Sequence, residues 1–173
     1  AGAAGGHGVV GVGAGAVGNP AAAVRVKAPA DGYTLLKVTQ AHTVNVSLFK
    51  SLGYDVVRDF VPVTKLDISP LIVVVHPSLP VKSIKELIAL ARAKPGQLNY
   101  ASAGSGNATH LAGELFSSAT RVKLVHVPYK GSGPALTDVV GGQVQLMFAN
   151  LTAALPQVKT GRVRALAVTG KTR

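Results

Sequence analysis

From residue 71 onward, short apolar runs of strand length alternate with longer segments of helical character. The strand-like runs are LIVVVH, LNYAS, KLVHVPY, QLMFAN and ALAVTG, at residues 71–76, 98–102, 123–129, 145–150 and 165–170. Helical segments separate these runs, at residues 83–96, 108–119, 133–142 and 154–161. Strands that alternate with helices are typical of a parallel sheet covered by helices and joined by right-handed crossovers. The pattern therefore predicts an α/β fold for this part of the chain.

The clearest helix follows Ser83. Ser83 and Glu86 have the spacing of a capping box, in which the two side chains bind free N–H groups of the first helical turn. Apolar residues then repeat at the spacing of one helix face, at Ile84, Leu87, Ile88 and Ala91. The sequence Lys-Pro-Gly at 94–96 predicts the end of this helix.

The chain before residue 71 is less regular. YTLLKVT at 33–39 and FVPVTKL at 60–66 predict strands, the second interrupted at Pro62, and residues 44–54 predict a short helix or an irregular segment. These elements do not close a domain by themselves, so we expect them to belong to part of a second lobe. Residues 1–17 form a low-complexity or disordered segment without the basic start of a secretory signal.

Composition excludes some functions and disfavours others. The sequence has no cysteine, so disulfides and cysteine metal sites are excluded. Its formal net charge of +11 attracts anions, but the basic residues are scattered and tryptophan is absent. Nucleic-acid binders usually concentrate their charge and add stacking aromatic side chains, so we expect no nucleic-acid partner. No apolar run approaches the length of a membrane span.

Polar residues follow three successive predicted strands. They form a glycine-rich turn at 102–109, a second turn at 129–132 and a third turn at 150–152. Ligands of open α/β sheets bind beyond the carboxyl ends of the strands. The three turns therefore predict the rim of a binding pocket.

The glycine-rich turn has the features of an anion site. Its sequence, SAGSGNAT, would place several free N–H groups at the start of a helix, where the helix dipole is positive. A tight turn with Asn107 or Thr109 as helix cap would have the same sequence. A dinucleotide site is the other alternative, but the third glycine of the fingerprint and the acidic residue about 20 positions later are both absent.

Catalytic and metal-binding patterns are weak. The sequence has only seven acidic residues, which disfavours a paired-carboxylate hydrolase, and Ser102, Ser105 and His110 lack the Gly-x-Ser-x-Gly elbow. No two histidines have the spacing of metal ligands on a helix, so we expect no metal site. Tyr129 and Lys130 fit a simple turn as well as a binding site.

Four segments resemble a known family: APADGYTLL, LNYASAGSGNATHLAGELF, VHVPYKGSGPALTDVVGGQVQLMF and VRALAVTG. They are similar to the Bug-type substrate-binding proteins, the periplasmic receptors of tripartite tricarboxylate transporters. The resemblance implies a type II periplasmic-binding-protein (Venus-flytrap) fold of two lobes, which holds a small carboxylate between two loops and delivers it to the membrane permease subunits. It implies neither catalysis nor a cofactor.

The resemblance also implies a set of ligand-binding residues. In the glycine-rich turn they are Ser102, Gly104, Ser105, Gly106, Asn107 and Thr109. Elsewhere they are Thr39, Gln40, His42, Tyr129, Lys130, Gly131 and Asn150. The family usually has Asp-Asn where this chain has Ala149-Asn150, which leaves Asn150 to supply the polar contact there.

The family pattern further predicts a truncated chain. We expect a partial first lobe at 18–76, a near-complete second lobe at 77–168 and the start of a crossover at 169–173. Such a chain would expose apolar surface, so we expect weak stability and some aggregation. The alternative function is a nucleotide-binding α/β enzyme fragment that uses the glycine-rich turn for phosphate.

Overall fold

The computed structural model describes residues 22–23, 25–38, 40–48, 50–65 and 70–170. The chain divides into two compact units, Ala1–Lys65 and Leu66–Arg173. Each unit is described by itself. Residues 1–17, for which we predicted low complexity or disorder, lie outside the described residues.

The second unit alternates strands and helices, and its elements follow one helix of the first unit, α1 (Gln40–Leu48). The strands are β1 (Leu71–Val75), β2 (Asn99–Ser102), β3 (Val125–Pro128), β4 (Leu146–Asn150) and β5 (Arg164–Val168). The helices are α2 (Ile84–Ala93), α3 (Ala108–Thr120), α4 (Ser132–Val140) and α5 (Leu151–Lys159). The predicted order of elements from residue 71 onward is confirmed.

The sheet has five strands in the order β3-β2-β4-β1-β5. β2 pairs in parallel with both β3 and β4, as predicted. The prediction of a wholly parallel sheet was wrong, because β1 pairs antiparallel with β4 and with β5. A fully apolar strand can form backbone hydrogen bonds with a parallel or an antiparallel neighbour. The sequence of β1 therefore does not indicate the direction in which it pairs.

Two apolar layers cover the faces of the sheet. Side chains of β4 alternate between them: Leu146 and Phe148 pack on one side, and Met147 and Ala149 on the other. Residues of α2 and α3 pack in the first layer, and residues of α4 and α5 in the second. All five residues of β1 are buried, as expected for a strand covered on both faces.

Helix α2 begins with the predicted cap. The Oγ atom of Ser83 accepts a hydrogen bond from the N–H group of Glu86 at 3.2 Å. The carboxylate of Glu86 accepts from the Ser83 hydroxyl at 3.1 Å and from the N–H group of Lys82 at 2.8 Å. The return bond thus reaches the residue before the cap instead of the cap itself.

The Ser83→Ala variant should lower the free energy of unfolding by about 1 kcal/mol, because the Glu86 N–H group loses its acceptor. Urea denaturation of the variant and the parent chain measures this difference. Ser118→Ala, at an exposed position within α3, is the control and should be nearly neutral. An unchanged midpoint for Ser83→Ala would show that the cap contributes nothing.

The first unit contains less regular structure than predicted. Residues 33–38 and 60–65 form no strand, and the helix in this region lies at Gln40–Leu48 instead of 44–54. Tyr33, Leu35 and Val61 are 81%, 71% and 88% exposed. Apolar strand-forming residues need a neighbouring strand and a covering layer, and neither is present around the described residues of this unit.

The predicted lobe boundaries at 18, 77 and 169 stay predictions. The structure places the strand at Leu71–Val75 inside the sheet of the second unit. Thr169 is also tied to that sheet: its N–H group donates to the carbonyl of Leu71 at 2.8 Å, and its hydroxyl accepts from the Leu71 N–H group at 2.9 Å.

Candidate functional site

The three predicted turns lie at one edge of the sheet, because β2, β3 and β4 run in the same direction and are neighbours. The N–H group of Tyr129 donates to the carbonyl of Ser102 at 3.0 Å, which joins the second turn to the glycine-rich turn. The amide of Asn150 donates to the hydroxyl of Ser132 at 3.4 Å, which joins the third turn to the second. The topology therefore brings the three turns together, and their role as the rim of a binding pocket stays a prediction.

Most N–H groups of the glycine-rich turn are already occupied. Those of Ala103 and Gly104 donate to the hydroxyls of Thr109 and Ser102, at 2.9 and 3.2 Å. Those of Asn107 and Gly106 donate to the Gly104 carbonyl and to a ring nitrogen of His110, both at 3.1 Å. Fewer N–H groups of the turn are therefore free than the sequence predicted.

Two donors of the turn remain. The N–H groups of Ser105 and Ala108 bond to no other described residue, and Ser105 is exposed. Asn107 caps α3, its side chain accepting from the N–H group of Thr109 at 3.1 Å. The turn therefore caps α3 and still leaves two N–H groups unoccupied, so the helix cap and the predicted anion site are compatible interpretations of its sequence.

The side chains of Ser102 and Thr109 stabilise the turn through hydrogen bonds. Both side chains are fully buried, and their hydroxyls accept the turn's own N–H groups. Gly104 and Gly106 have φ angles of +133° and +78°, a region that side chains with a Cβ atom rarely adopt. The residue types of the turn are thus explained by its backbone conformation.

A cluster of rings lies under the glycine-rich turn. The Ser102 Oγ atom is 2.6 Å from Nε2 of His126. The His126 ring stacks on those of His110 and Tyr100, with centroids 4.0 and 5.0 Å apart. The Tyr100 hydroxyl donates to Glu114 at 2.5 Å, and Nε2 of His110 lies 3.7 Å from the same carboxylate.

The roles of Tyr100, Glu114 and His126 were not predicted from the sequence. The spacing of His110 and Glu114 on a helix was the available signal, since residues four apart lie on one face. The pairing of Tyr100 with His126 needed the register of β2 and β3. Burial, and then the bond to Glu114, raise the pKa of Tyr100, so its hydroxyl stays protonated and donates.

Acid should destabilise the fold through His126. Burial, and then the neighbouring His110 ring, lower the pKa of His126 below its usual value of 6.5. The unfolded chain therefore takes up a proton that the folded chain resists, and stability falls as the pH drops below about 6.5. Urea denaturation at pH 7.5 and 5.5 measures this loss. His126→Gln, which keeps a polar acceptor but does not titrate, should lose less; an equal loss would contradict the assignment.

The other two turns contribute fewer polar groups than predicted. The Tyr129 hydroxyl donates to Asp138 at 2.6 Å, and burial followed by this bond raises the pKa of Tyr129 to about 12. Lys130 is exposed, and Gly131 precedes α4 with a φ of +122°. Helices α4 and α5 begin directly after the second turn and β4, and no side chain caps their first N–H groups.

The position next to Asn150 is apolar in environment. Ala149 is 1% exposed and lies in the apolar layer with α4 and α5, while Asn150 is half-buried and bonded to Ser132. Asn150 is therefore the polar side chain at the end of β4, and its contact with a ligand stays a prediction.

A separate cleft of about 340 Å³ lies between α4 and α5. It is lined by Ser132, Gly133, Leu136, Thr137, Val140, Ala153, Gln157 and Arg162. Ser132 of the second turn lines this cleft, but no residue of the glycine-rich turn does.

Three predicted site residues belong to the first unit. Thr39 lies outside the described residues, Gln40 begins α1, and His42 is buried in the same helix. Their participation in a site with the turns of the second unit stays a prediction.

Other site types find no support in the described part of the chain. It has no group of three or more histidine, aspartate or glutamate side chains placed to hold a metal ion. Within the described ranges, no helix has both the length and the apolar character to cross a membrane.

A mixed α/β sheet with a glycine-rich turn at a helix start fits a lobe of the periplasmic-binding-protein class. The family model described as "Tripartite tricarboxylate transporter family receptor" matches residues 7–173. The chain belongs to that family, which confirms the resemblance drawn from its sequence.

Relatives and solved structures agree with this assignment. Protein BugT of Bordetella pertussis is 40% identical over 144 residues, which are 82% of this chain and 44% of BugT. A structure described as an R. palustris protein with adipate has a TM-score of 0.83 and 41% identity, over 90% of this chain and 52% of that one. MatC from Rhodopseudomonas palustris with bound malate has a TM-score of 0.80 and 32% identity, over 92% and 54%.

The chain spans about half the length of the curated relatives and solved structures that it matches. The predicted periplasmic-binding-protein fold is confirmed by the structure of the periplasmic binding protein BugD, with a TM-score of 0.78 and 32% identity over 92% of this chain and 54% of that one.

Proposed function

We propose that this chain forms part of a periplasmic receptor that binds a small organic carboxylate and delivers it to the permease subunits of a tripartite tricarboxylate transporter. Membership of the receptor family supports transport. Two structural relatives whose descriptions name adipate and malate support a carboxylate ligand. The chain contributes binding, not catalysis.

The observation that carries the proposal is the pair of unoccupied N–H groups at Ser105 and Ala108. Both lie at the start of α3, where the helix dipole adds about 0.3–1 kcal/mol for an anion. A hydrogen bond to a charged group contributes about 1.5–3 kcal/mol. Micromolar affinity requires about 8 kcal/mol after the costs of association, so further donors are needed.

The residues of the turns and of the first unit have different roles in this proposal. We assign the carboxylate to the N–H groups of Ser105 and Ala108, with Gly104 allowing its close approach. The side chains of Ser102 and Thr109 hold the turn in shape. The exposed Lys130 and the net charge of +11 attract the anion without contacting it. We also assign Thr39, Gln40 and His42 to the ligand, as the family resemblance implies.

Calorimetric titration with adipate and malate tests the proposal. It is done on the chain and on a two-lobe chimaera, in which the chain replaces the matching half of the R. palustris relative described with adipate. We expect binding in the chimaera, weaker or absent binding in the chain alone, and no binding of ATP or NAD. Binding of a nucleotide without any carboxylate would overturn the receptor and favour the enzyme fragment.

A further inference from the structure

The N–H group of Gly106 points at a histidine instead of at solvent. It donates to Nδ1 of His110 at 3.1 Å, and Gly106 itself is buried. An Nδ1 atom that accepts a hydrogen bond carries no proton, so the ring is neutral and its proton is on Nε2. Nε2 lies 3.7 Å from the Glu114 carboxylate, which suits a donor at that position.

The charged and titratable groups around the His110 ring come from three elements. Glu114 lies on the same helix, one turn away. His126 of β3 stacks on the ring at 4.0 Å, and Tyr100 of β2 holds Glu114 by its hydroxyl. Burial, and then the His110 ring, lower the pKa of His126 below its usual value, so the His126 ring resists taking up a proton.

Protonation of His110 changes which groups the turn offers. A doubly protonated ring is a donor at both nitrogens and cannot accept from Gly106. The Gly106 N–H group is then released beside the unoccupied N–H group of Ser105, and a positive charge is added under the turn. Both changes favour an anion.

We propose that His110 is a positioning residue that makes carboxylate binding at the glycine-rich turn depend on proton uptake. Neutral His110 withholds the Gly106 N–H group, and protonated His110 releases it to the ligand. This inference rests on the proposed function, because it needs a carboxylate at that turn. Affinity should be higher at pH 6 than at pH 8, by about fivefold or more.

The first test needs no ligand. In the ¹⁵N-labelled chain, the Gly106 amide signal and the His110 ring signals should titrate together between pH 8 and pH 5, and Gly106 should exchange faster with solvent at low pH. In His110→Asn, whose side-chain oxygen can accept but not titrate, the Gly106 signal should stay constant. The control is His76→Asn at the opposite edge of the sheet, which should leave the Gly106 titration unchanged.

A Gly106 signal that ignores pH, or that still titrates in His110→Asn, would overturn the assignment of His110. The wild-type titration alone shows whether the Gly106 signal depends on pH. The test therefore remains valid if the His110→Asn variant folds poorly.

The second test measures proton uptake directly. Titration of adipate into the two-lobe chimaera, in two buffers of different ionisation enthalpy, gives the number of protons taken up at pH 6.5. We expect uptake in the parent and in His76→Asn, and none in His110→Asn. Adipate binding without uptake in the parent would refute the inference and leave the receptor standing. No binding of adipate or malate at any pH would refute both.

Discussion

Replacing Gly104 by alanine should weaken carboxylate binding by about tenfold or more. Gly104 has a φ of +133°, and a Cβ atom there would lie 3.4 Å from the Tyr129 carbonyl oxygen. For alanine, the strain of such a backbone conformation costs about 1–3 kcal/mol. We expect the turn to relieve part of this strain by changing its conformation. A changed turn moves the neighbouring Ser105 N–H group away from the ligand.

The measurement is calorimetric titration of adipate into the two-lobe chimaera with and without Gly104→Ala. Gly161→Ala is the matched control, because Gly161 also has a positive φ, of +71°, but no atom lies within 4 Å of the position of its Cβ. Both variants should lose a similar amount of stability, and only Gly104→Ala should lose affinity. Equal affinity in the two variants would remove the turn from the binding site.

Replacing Gly113 by alanine should destabilise the second unit by about 1–3 kcal/mol. Gly113 is buried in α3, and a Cβ atom there would lie 2.7 Å from Cζ and 2.9 Å from Cδ2 of Tyr100. The Tyr100 ring cannot move aside, because it is fully buried, stacked on His126 and bonded to Glu114. Overpacking therefore strains the cluster that supports the glycine-rich turn.

Urea denaturation followed by circular dichroism measures this loss. Gly133→Ala is the control: Gly133 is also helical, but its Cβ would meet no atom within 4 Å. The change should be nearly neutral, because the helix preference of alanine is opposed by the restriction that Pro134 places on the residue before it. If Gly113→Ala were as stable as Gly133→Ala, the close packing of α3 on Tyr100 would be wrong.

The local elements of the second unit could be predicted because their causes are local. The cap at Ser83 needs only Glu86 three residues away, and the apolar stripe of α2 needs only the period of a helix. The same holds for the glycines of the turn, whose positive φ angles follow from the short path between β2 and α3.

The segments of the first unit could not be predicted in the same way. Residues 33–38 have the composition of a strand, yet a strand forms only when a neighbour binds its backbone. Hydrogen bonds across a sheet join distant parts of a chain, so composition alone does not settle whether they form.

By itself, the sequence determined the order of strands and helices in the second unit, the cap of α2 and the glycine-rich turn, since each depends on residues close together in the chain. It also determined the family, through four segments with matching motifs. Only the tertiary structure decided the antiparallel direction of β1 and the sharing of the turn's N–H groups. It also decided the stacking of His126 on His110, because this contact depends on how β3 lies beside α3. An N–H group is free for a ligand only if the fold places no acceptor atom of the protein next to it. Packing of distant parts of the chain determines where those acceptors lie.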